Sequence, residues 1–225
     1  MSQRFAVIGL GQLGTSIALT LASRGAEVIA IDQELNNVER IKDQVAYAVA
    51  LDATDNKALQ AQDIDRAAAA VVAIGDNFEA LVLTTVVLQE LGVKRIIARA
   101  ASEQQRAILT KLGIEEILLP EKKVGESVAK MLLQPSIKAF LSLSDEYEIV
   151  EIEAPAKVTG QTLVQLNLRK KFNLNLITLK RKAETEEESA HFIGVPYPET
   201  KILKGDVLFI MGSHEDIRQF IASYQ

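Results

Sequence analysis

Three glycines near the start of the chain have the spacing of a phosphate-binding turn. They lie in residues 9–14, Gly-Leu-Gly-Gln-Leu-Gly, between an apolar run at 5–8 and apolar residues at helical spacing from 17 to 22. In a strand–turn–helix unit the first glycine permits the tight turn, the second lets a phosphate approach the backbone, and the third lets helix and strand pack closely. The first N–H groups of the helix have no partners within it and carry partial positive charge, so an anionic phosphate fits there.

An acidic residue stands where a dinucleotide-binding unit needs a ribose ligand. Asp32 ends a second apolar run, residues 28–31, and lies 21 residues after Gly11. A carboxylate at that position accepts hydrogen bonds from both hydroxyls of an adenosine ribose and disfavours a 2′-phosphate. The pattern predicts nucleotide binding. Two alternatives remain open here: a turn that packs but binds nothing, and an Asp32 that is only a solvated acid at a strand end.

The composition excludes several classes of protein. The chain has 225 residues, with 25 Lys and Arg, 30 Asp and Glu, a net charge of −5 and no cysteine. A net negative charge argues against a nucleic-acid surface, because such surfaces need clustered Lys and Arg. Without cysteine there are no disulfides, thiolate metal sites or cysteine nucleophiles. The first strand begins almost at once, so no signal peptide is expected, and the most apolar stretches are about half as long as a bilayer span.

Strands alternate with helices through the first 120 residues, which predicts a Rossmann-like, doubly wound parallel sheet. Such a sheet binds its ligand at the carboxyl ends of its strands, where Gly11, Asp32, Asp52 and Gly75 all fall. The helix predicted to end near residue 91 has more apolar residues than one face needs, so we expect a second buried face at a subunit contact. The other predicted elements are strands 45–51, 69–74, 95–98 and 117–119, and helices 35–41 and 102–112.

A crossover is expected over residues 121–144. Apolar residues recur at helical intervals from Val124 to Leu143 and are interrupted at Pro135. Proline disfavours helical geometry in the residue before it and lacks a backbone donor, so we predict a helix, a turn and a second short helix. The long apolar face is expected to pack on a neighbouring copy; the alternative is a helix that covers its own sheet.

The remaining residues, 145–225, predict a small α+β domain. Residues 148–153 alternate apolar and charged side chains, as a half-buried strand does. Residues 180–188 carry a basic run followed by an acidic run and are expected to form a solvated hairpin tip. The other elements predicted in this domain are strands 175–179, 191–195 and 207–211, and helices 163–172 and 217–221.

Taken together, these features resemble the cytosolic regulatory subunits of bacterial potassium uptake systems, the Ktr and Trk family, built from RCK N-terminal and RCK C-terminal domains. The stretches that carry the likeness are FAVIGLG at 5–11, VAIG at 72–75, LTT at 83–85, LPEK at 119–122 and LSDEY at 143–147. The likeness covers nearly the whole chain and is strongest to the Ktr type with one RCK unit. It implies a dimer that assembles into an eight-subunit ring beneath a separate membrane protein that conducts potassium.

The resemblance also implies ligands and the residues that hold them. ATP or ADP, or NAD or NADH, would occupy the N-terminal domain, with Asp32 on the ribose and Asp52 beside the adenine. The nucleotide site predicted in this way comprises Gly9, Gly11, Gln12, Leu13, Gly14, Asp32, Gln33, Asp52, Ala53, Thr54, Ile74, Gly75 and Arg99.

Two further positions bear on phosphate recognition. Glu121 matches a carboxylate that, in similar subunits, helps bind a cation such as Mg²⁺ or Ca²⁺ near the nucleotide at the dimer interface; a helix N-terminal acid favoured by the dipole explains it equally well. At Gln12, similar Ktr subunits often have an arginine that reaches the neighbour's terminal phosphate, and glutamine offers no charged fork. Discrimination between ATP and ADP would then fall to Arg99 or to a cation at Glu121.

In some relatives the second domain binds cyclic di-AMP at its own dimer interface. Basic groups facing a symmetry mate can clamp two phosphates, although three basic residues at a helix end can also serve only to complement its dipole. The matching residues are Leu166, Arg169, Lys170, Asn175, Leu176, Ile177 and Pro196.

A small NAD-dependent dehydrogenase, similar to precorrin-2 dehydrogenase, is the main alternative, because the same fold carries nicotinamide. Hydride transfer usually needs a proton donor tuned near neutral pH, and the two histidines, His191 and His214, lie in the second domain. No basic winged helix is visible, which argues against a redox-sensing repressor. We expect a ligand sensor that is not an enzyme, cytoplasmic and held at the inner face of the cell membrane by its partner.

Overall fold

The structure, a computed structural model, describes residues 3–133, 136–182 and 190–224. The chain divides into two compact units, Met1–Lys123 and Val124–Gln225, each with a hydrophobic core of its own. The domain boundaries expected from the sequence, namely 1–120 for the nucleotide-binding domain, 121–144 for the crossover and 145–225 for the second domain, stay predictions.

The first unit is built on a parallel sheet of six strands in the order β3-β2-β1-β4-β5-β6. This order confirms the predicted doubly wound topology, in which β2 and β3 are added on one side of β1 and β4, β5 and β6 on the other. The strands are β1 (Arg4–Ile8), β2 (Glu27–Asp32), β3 (Tyr47–Ala50), β4 (Ala69–Val72), β5 (Ile96–Arg99) and β6 (Glu116–Leu118).

Helices cover both faces of this sheet. Along β1, Ala6 and Ile8 pack in one buried cluster while Val7 packs in the other, as alternation along a strand requires. Burial on both faces explains why the central strands are apolar throughout. The helices of the first unit are α1 (Gln12–Ser23), α2 (Leu35–Glu39), α3 (Asn56–Gln60), α4 (Phe78–Glu90) and α5 (Glu103–Lys111).

Helix α4 packs on the sheet through one face and leaves part of its apolar surface outside. Leu81 and Leu88 are buried, whereas Leu83 is 46% exposed. The helix begins at the cap Asn77, whose side chain accepts a hydrogen bond from the Ala80 N–H. The subunit contact expected on its outer face stays a prediction.

The second unit contains an antiparallel sheet in the order β10-β9-β11-β8-β7, which confirms the predicted α+β domain. Its strands are β7 (Ile137–Ser142), β8 (Tyr147–Glu153), β9 (Asn175–Arg181), β10 (His191–Phe192) and β11 (Val207–Ser213). Its helices are α7 (Leu163–Leu166), α8 (Leu168–Phe172) and α9 (His214–Tyr224), and α6 (Pro120–Leu133) runs across the limit between the units. Val150, Ile152, Leu208, Ile210 and Phe220 are fully or almost fully buried in its core.

The second crossover helix expected from the sequence is wrong, because residues 137–142 form strand β7. The strand pairs with β8, with Ile137 opposite Ile152 and Leu141 opposite Ile149. Apolar residues in so short a segment fit helical and strand periods alike. The antiparallel ladder to β8 decides between them, since it satisfies backbone groups that a one-turn helix would leave open.

The predicted helix over residues 163–172 is two short helices. Asn167 has a φ of 48° and ends α7 before α8 begins. Asparagine tolerates this left-handed conformation better than most residues. The predicted strand at 191–195 is limited to His191 and Phe192. Most of the predicted hairpin tip, residues 183–188 of 180–188, lies outside the described residues.

Candidate nucleotide site

Two glycines of the opening turn are required by the fold itself. Gly9 has a φ of +90°, which side chains rarely adopt, and a Cβ there would lie 2.8 Å from the backbone nitrogen of Ile74. A Cβ on Gly14 would collide with the carbonyl oxygen of Gly9. These two positions therefore hold the strand, the turn and α1 close together.

Gly11 differs from its neighbours because the fold does not need it. Its φ of −67° suits any residue, and a Cβ there would meet nothing within 4 Å. Helix α1 starts at this residue with no side-chain cap and no acid in its first turn, whereas α3 and α5 are capped by Asp55 and Ser102. Uncapped N–H groups and open space thus coincide at Gly11, which is the arrangement that a phosphate requires.

Asp32 is buried and hydrogen-bonded, so it is not a solvated strand-end acid. The residue is only 9% exposed. Its Oδ2 accepts a hydrogen bond of 2.6 Å from the Leu10 N–H, and its Oδ1 accepts one of 2.8 Å from the Glu34 N–H. A carboxylate oxygen has two acceptor sites, so each oxygen keeps one for a ribose hydroxyl.

Leu10 is a second anchor of the turn, and it is not among the site residues predicted from the sequence. Its N–H is held by Asp32, and its carbonyl oxygen accepts a hydrogen bond of 2.9 Å from the Thr15 hydroxyl. A threonine in the first turn of a helix that follows a glycine turn was the available signal. Gln12 is exposed and Leu13 is half-buried at the start of α1.

Asp52 and Thr54 form a closed turn after β3. The Thr54 N–H and hydroxyl both donate to Asp52 Oδ1, at 2.9 and 2.7 Å. These two hydrogen bonds, the backbone one first, lower the pKa of the Asp52 carboxyl below its ordinary value. Asp52 is exposed and ionised, while Ala53 between them is buried.

Arg99, Gly75 and Glu121 come together at the carboxyl ends of three adjacent strands. Arg99 ends β5, and its Nη2 donates to Glu121 Oε1 in the first turn of α6. The guanidinium lies across Gly75, where a Cβ would collide with it. The pKa of Glu121 is lowered, first by its own backbone N–H and then by Arg99. Among the described residues, no group of three or more His, Asp or Glu could hold a metal ion.

The residues predicted for cyclic di-AMP lie in the second unit. Arg169 Nε and Nη2 both donate to Asn175 Oδ1, at 3.2 and 2.8 Å. Leu166 is fully buried, so its side chain belongs to the core and presents no surface to a ligand. Lys170 is exposed, and Ile177 is 38% exposed; their role, like that of half-buried Leu176 and Pro196, stays a prediction.

The fold and this turn define a class: a Rossmann-like domain followed by a small α+β domain. Comparison with known families agrees, since the TrkA-N domain matches residues 5–120 and the TrkA-C domain matches residues 147–224. The chain belongs to the Ktr and Trk family of potassium uptake proteins.

Individual relatives support this assignment along the whole chain. The Ktr system potassium uptake protein C of Bacillus subtilis strain 168 is 34% identical over 98% of this chain and 96% of its own. The Ktr system potassium uptake protein A of the same organism is 34% identical over 97% of this chain and 96% of its own. The relatives are named as uptake proteins, which confirms the prediction that the chain is not an enzyme and removes the dehydrogenase alternative.

The fold itself is found in a solved RCK domain. The GsuK RCK domain matches with a TM-score of 0.54 and 22% identity, covering 99% of this chain, which spans 46% of the GsuK chain. No helix within the described residues is long and apolar enough to cross a membrane.

Proposed function

We propose that this chain is the nucleotide-sensing regulatory subunit of a potassium uptake system and controls a separate membrane subunit that conducts potassium. The observation that carries the proposal is the open space at Gly11, which the fold does not use. No contact within the fold requires glycine at position 11. A ligand phosphate that must approach the backbone there would explain why the residue has no side chain. The family names of the relatives supply the transport process.

The proposed ligand is an adenosine nucleotide, ATP or ADP, or NAD or NADH. Its phosphates would lie over Gly11 against the uncapped N–H groups of α1, and its ribose would hydrogen-bond to Asp32. The adenine would lie towards Asp52 and Thr54, at the end of the neighbouring strand β3. The buried negative charge of Asp32 disfavours ligands with a 2′-phosphate.

A cation, Mg²⁺ or Ca²⁺, is proposed to join the phosphates through Glu121. One carboxylate is too few for either ion, since both take at least six oxygen ligands. Phosphate oxygens, water and a second copy of the chain would complete the coordination.

Self-association is proposed to use the exposed apolar stripe of α6. Val124, Val128, Met131 and Leu132 recur at intervals of four, three and one residues and are 39–76% exposed. That spacing places them on one side of the helix, and within the described residues α6 buries none of its own. Such a stripe fits a contact with a second copy, from which the proposed ring of eight would be assembled at the inner face of the membrane.

Control of transport would then be a difference in nucleotide affinity between two shapes of the assembly. A ligand that binds both shapes equally shifts nothing. Complete switching from 1:99 to 99:1 requires a preference of roughly 10⁴. In the second unit, Arg169 and Lys170 are proposed to bind the phosphates of cyclic di-AMP across a symmetric contact.

Binding of ATP, ADP and NADH to ligand-free protein tests the proposal, with two matched substitutions. Gly11→Val places a side chain where the phosphate would lie and is expected to abolish binding. Thr20→Val is the control, because it places the same side chain at an exposed position later in α1, where threonine and valine have similar helix propensity. Equal affinity of the two variants for every nucleotide would refute the proposed site.

A further inference from the structure

We propose that Arg99 is a phosphate sensor that exchanges partners: it pairs with Glu121 in the empty site and releases Glu121 when it takes a nucleotide phosphate. The inference rests on the proposed nucleotide function and adds the regulation of that site. Glu121 is thereby an internal competitor of the ligand's phosphate.

The hydrogen bonds of Arg99 are incomplete. Its Nη2 donates to Glu121 Oε1, but its Nε is buried and has no hydrogen-bond partner in the described part of the chain. A buried donor without an acceptor is unfavourable, and in a native protein it calls for an explanation. Nε and Nη2 lie on the same edge of the guanidinium, and Glu121 occupies only half of that edge.

A phosphate can accept the hydrogen bond from Arg99 Nε that the Glu121 carboxylate does not accept. Two phosphate oxygens match the planar edge of a guanidinium and accept from both N–H groups at once, which is the strongest arrangement that arginine forms. Arg99 also lies at the right edge of the sheet, because it ends β5 next to Gly75, which follows β4. Ligands of such sheets bind at the carboxyl ends of the strands.

The existing pair is weak enough to be displaced. The Glu121 side chain is 57% exposed, whereas that of Arg99 is 23% exposed. An ion pair with so much solvent on one side is screened and contributes little. Once Arg99 turns to the ligand, the Glu121 carboxylate no longer faces the Arg99 guanidinium. Nucleotide binding therefore leaves an unneutralised negative charge at the first turn of α6.

The test uses the full chain, stripped of ligand and held in EDTA so that no divalent ion contributes. Affinities for adenosine and ADP are measured for the wild type, Glu121→Gln, Arg99→Gln and the double variant. Glu121→Gln removes the competitor and is expected to raise ADP affinity by about two- to fivefold. Arg99→Gln is expected to lower it by about 10- to 100-fold. Adenosine, which has no phosphate, is expected to bind all four proteins equally.

The double variant separates exchange from two independent effects. If Glu121 acts through Arg99, the double variant binds ADP as Arg99→Gln does, and circular dichroism shows all four proteins folded. Unchanged or reduced ADP affinity in Glu121→Gln, or additive effects in the double variant, would overturn the exchange. Failure of the wild type to bind either ligand would instead overturn the proposed nucleotide function itself.

Discussion

The Leu10 N–H donates a hydrogen bond of 2.6 Å to Asp32 Oδ2, joining the glycine turn to the end of the neighbouring strand. The carboxylate that would bind the ribose therefore also fixes the loop that would bind the phosphate. Asp32→Ala is expected to abolish nucleotide binding and to lower the free energy of unfolding by about 1–3 kcal/mol, because two N–H groups lose their acceptor. Urea denaturation and nucleotide titration measure the two effects; a variant as stable as the wild type would contradict the structural role.

Substitutions at two glycines of the turn are expected to differ in their effect on stability. Gly14→Ala forces a Cβ against the Gly9 carbonyl oxygen and is expected to lower the free energy of unfolding by about 1–3 kcal/mol. Gly11→Ala meets no neighbour, so its unfolding free energy in the absence of ligand is expected to match the wild type within about 0.5 kcal/mol. Denaturation of both variants without nucleotide checks this; equal destabilisation would show that Gly11 is structural.

Asp206 and Arg181 form an ion pair in the second unit, and its carboxylate is buried. Arg181 Nε and Nη2 donate to the two carboxylate oxygens at 3.1 and 3.0 Å, and Asp206 is 1% exposed. Asp206→Asn is expected to cost about 3–5 kcal/mol of unfolding free energy, because it replaces a buried carboxylate that accepts hydrogen bonds from Arg181 and from the Leu203 N–H. The matched control is Glu116→Gln, which breaks the exposed pair with Arg95 and is expected to leave the stability almost unchanged. Similar losses in the two variants would contradict this difference.

The Asp52 carboxyl is expected to titrate below the ordinary aspartate value. The Thr54 N–H and hydroxyl stabilise its ionised form, so the turn's contribution to stability is present above the unfolded pKa and is lost as pH falls through the lower folded pKa. Carboxyl NMR titration measures this pKa directly. Thr54→Ala removes the hydroxyl and is expected to raise the pKa part of the way back; an unchanged pKa would assign the shift to the backbone alone.

The apolar stripe of α6 is expected to control self-association. Val128→Glu places a charge within the stripe, and we expect association to weaken at least about tenfold, since burial of an unpaired charge is costly. Lys123→Glu introduces the same side chain at an exposed polar position of α6 and serves as the control. Sedimentation velocity over a concentration series measures the association of both variants. Equal association of Val128→Glu and Lys123→Glu would show that the contact lies elsewhere.

Sequence patterns were sufficient for the parallel sheet and the ends of most of its helices. The predicted helix over 102–112 agrees with α5 to within one residue at each end, and Gly9 and Asp32 lie where the turn requires. Residues 137–142 were misassigned because pairing with β8, a contact between strands, outweighs local spacing. The Leu10–Asp32 and Arg99–Glu121 contacts join residues 22 positions apart, and no local pattern encodes them.

Hydrogen–deuterium exchange of the ligand-free chain, with and without ADP or NADH, tests the central claim most directly. The amides of Gln12 and Leu13 begin α1 without partners inside the helix, and a bound phosphate would protect them. We predict slower exchange in the peptide that covers residues 9–14, saturating with nucleotide concentration and absent in Gly11→Val. Unchanged exchange in that peptide at saturating concentrations of both nucleotides would contradict a nucleotide site at this turn.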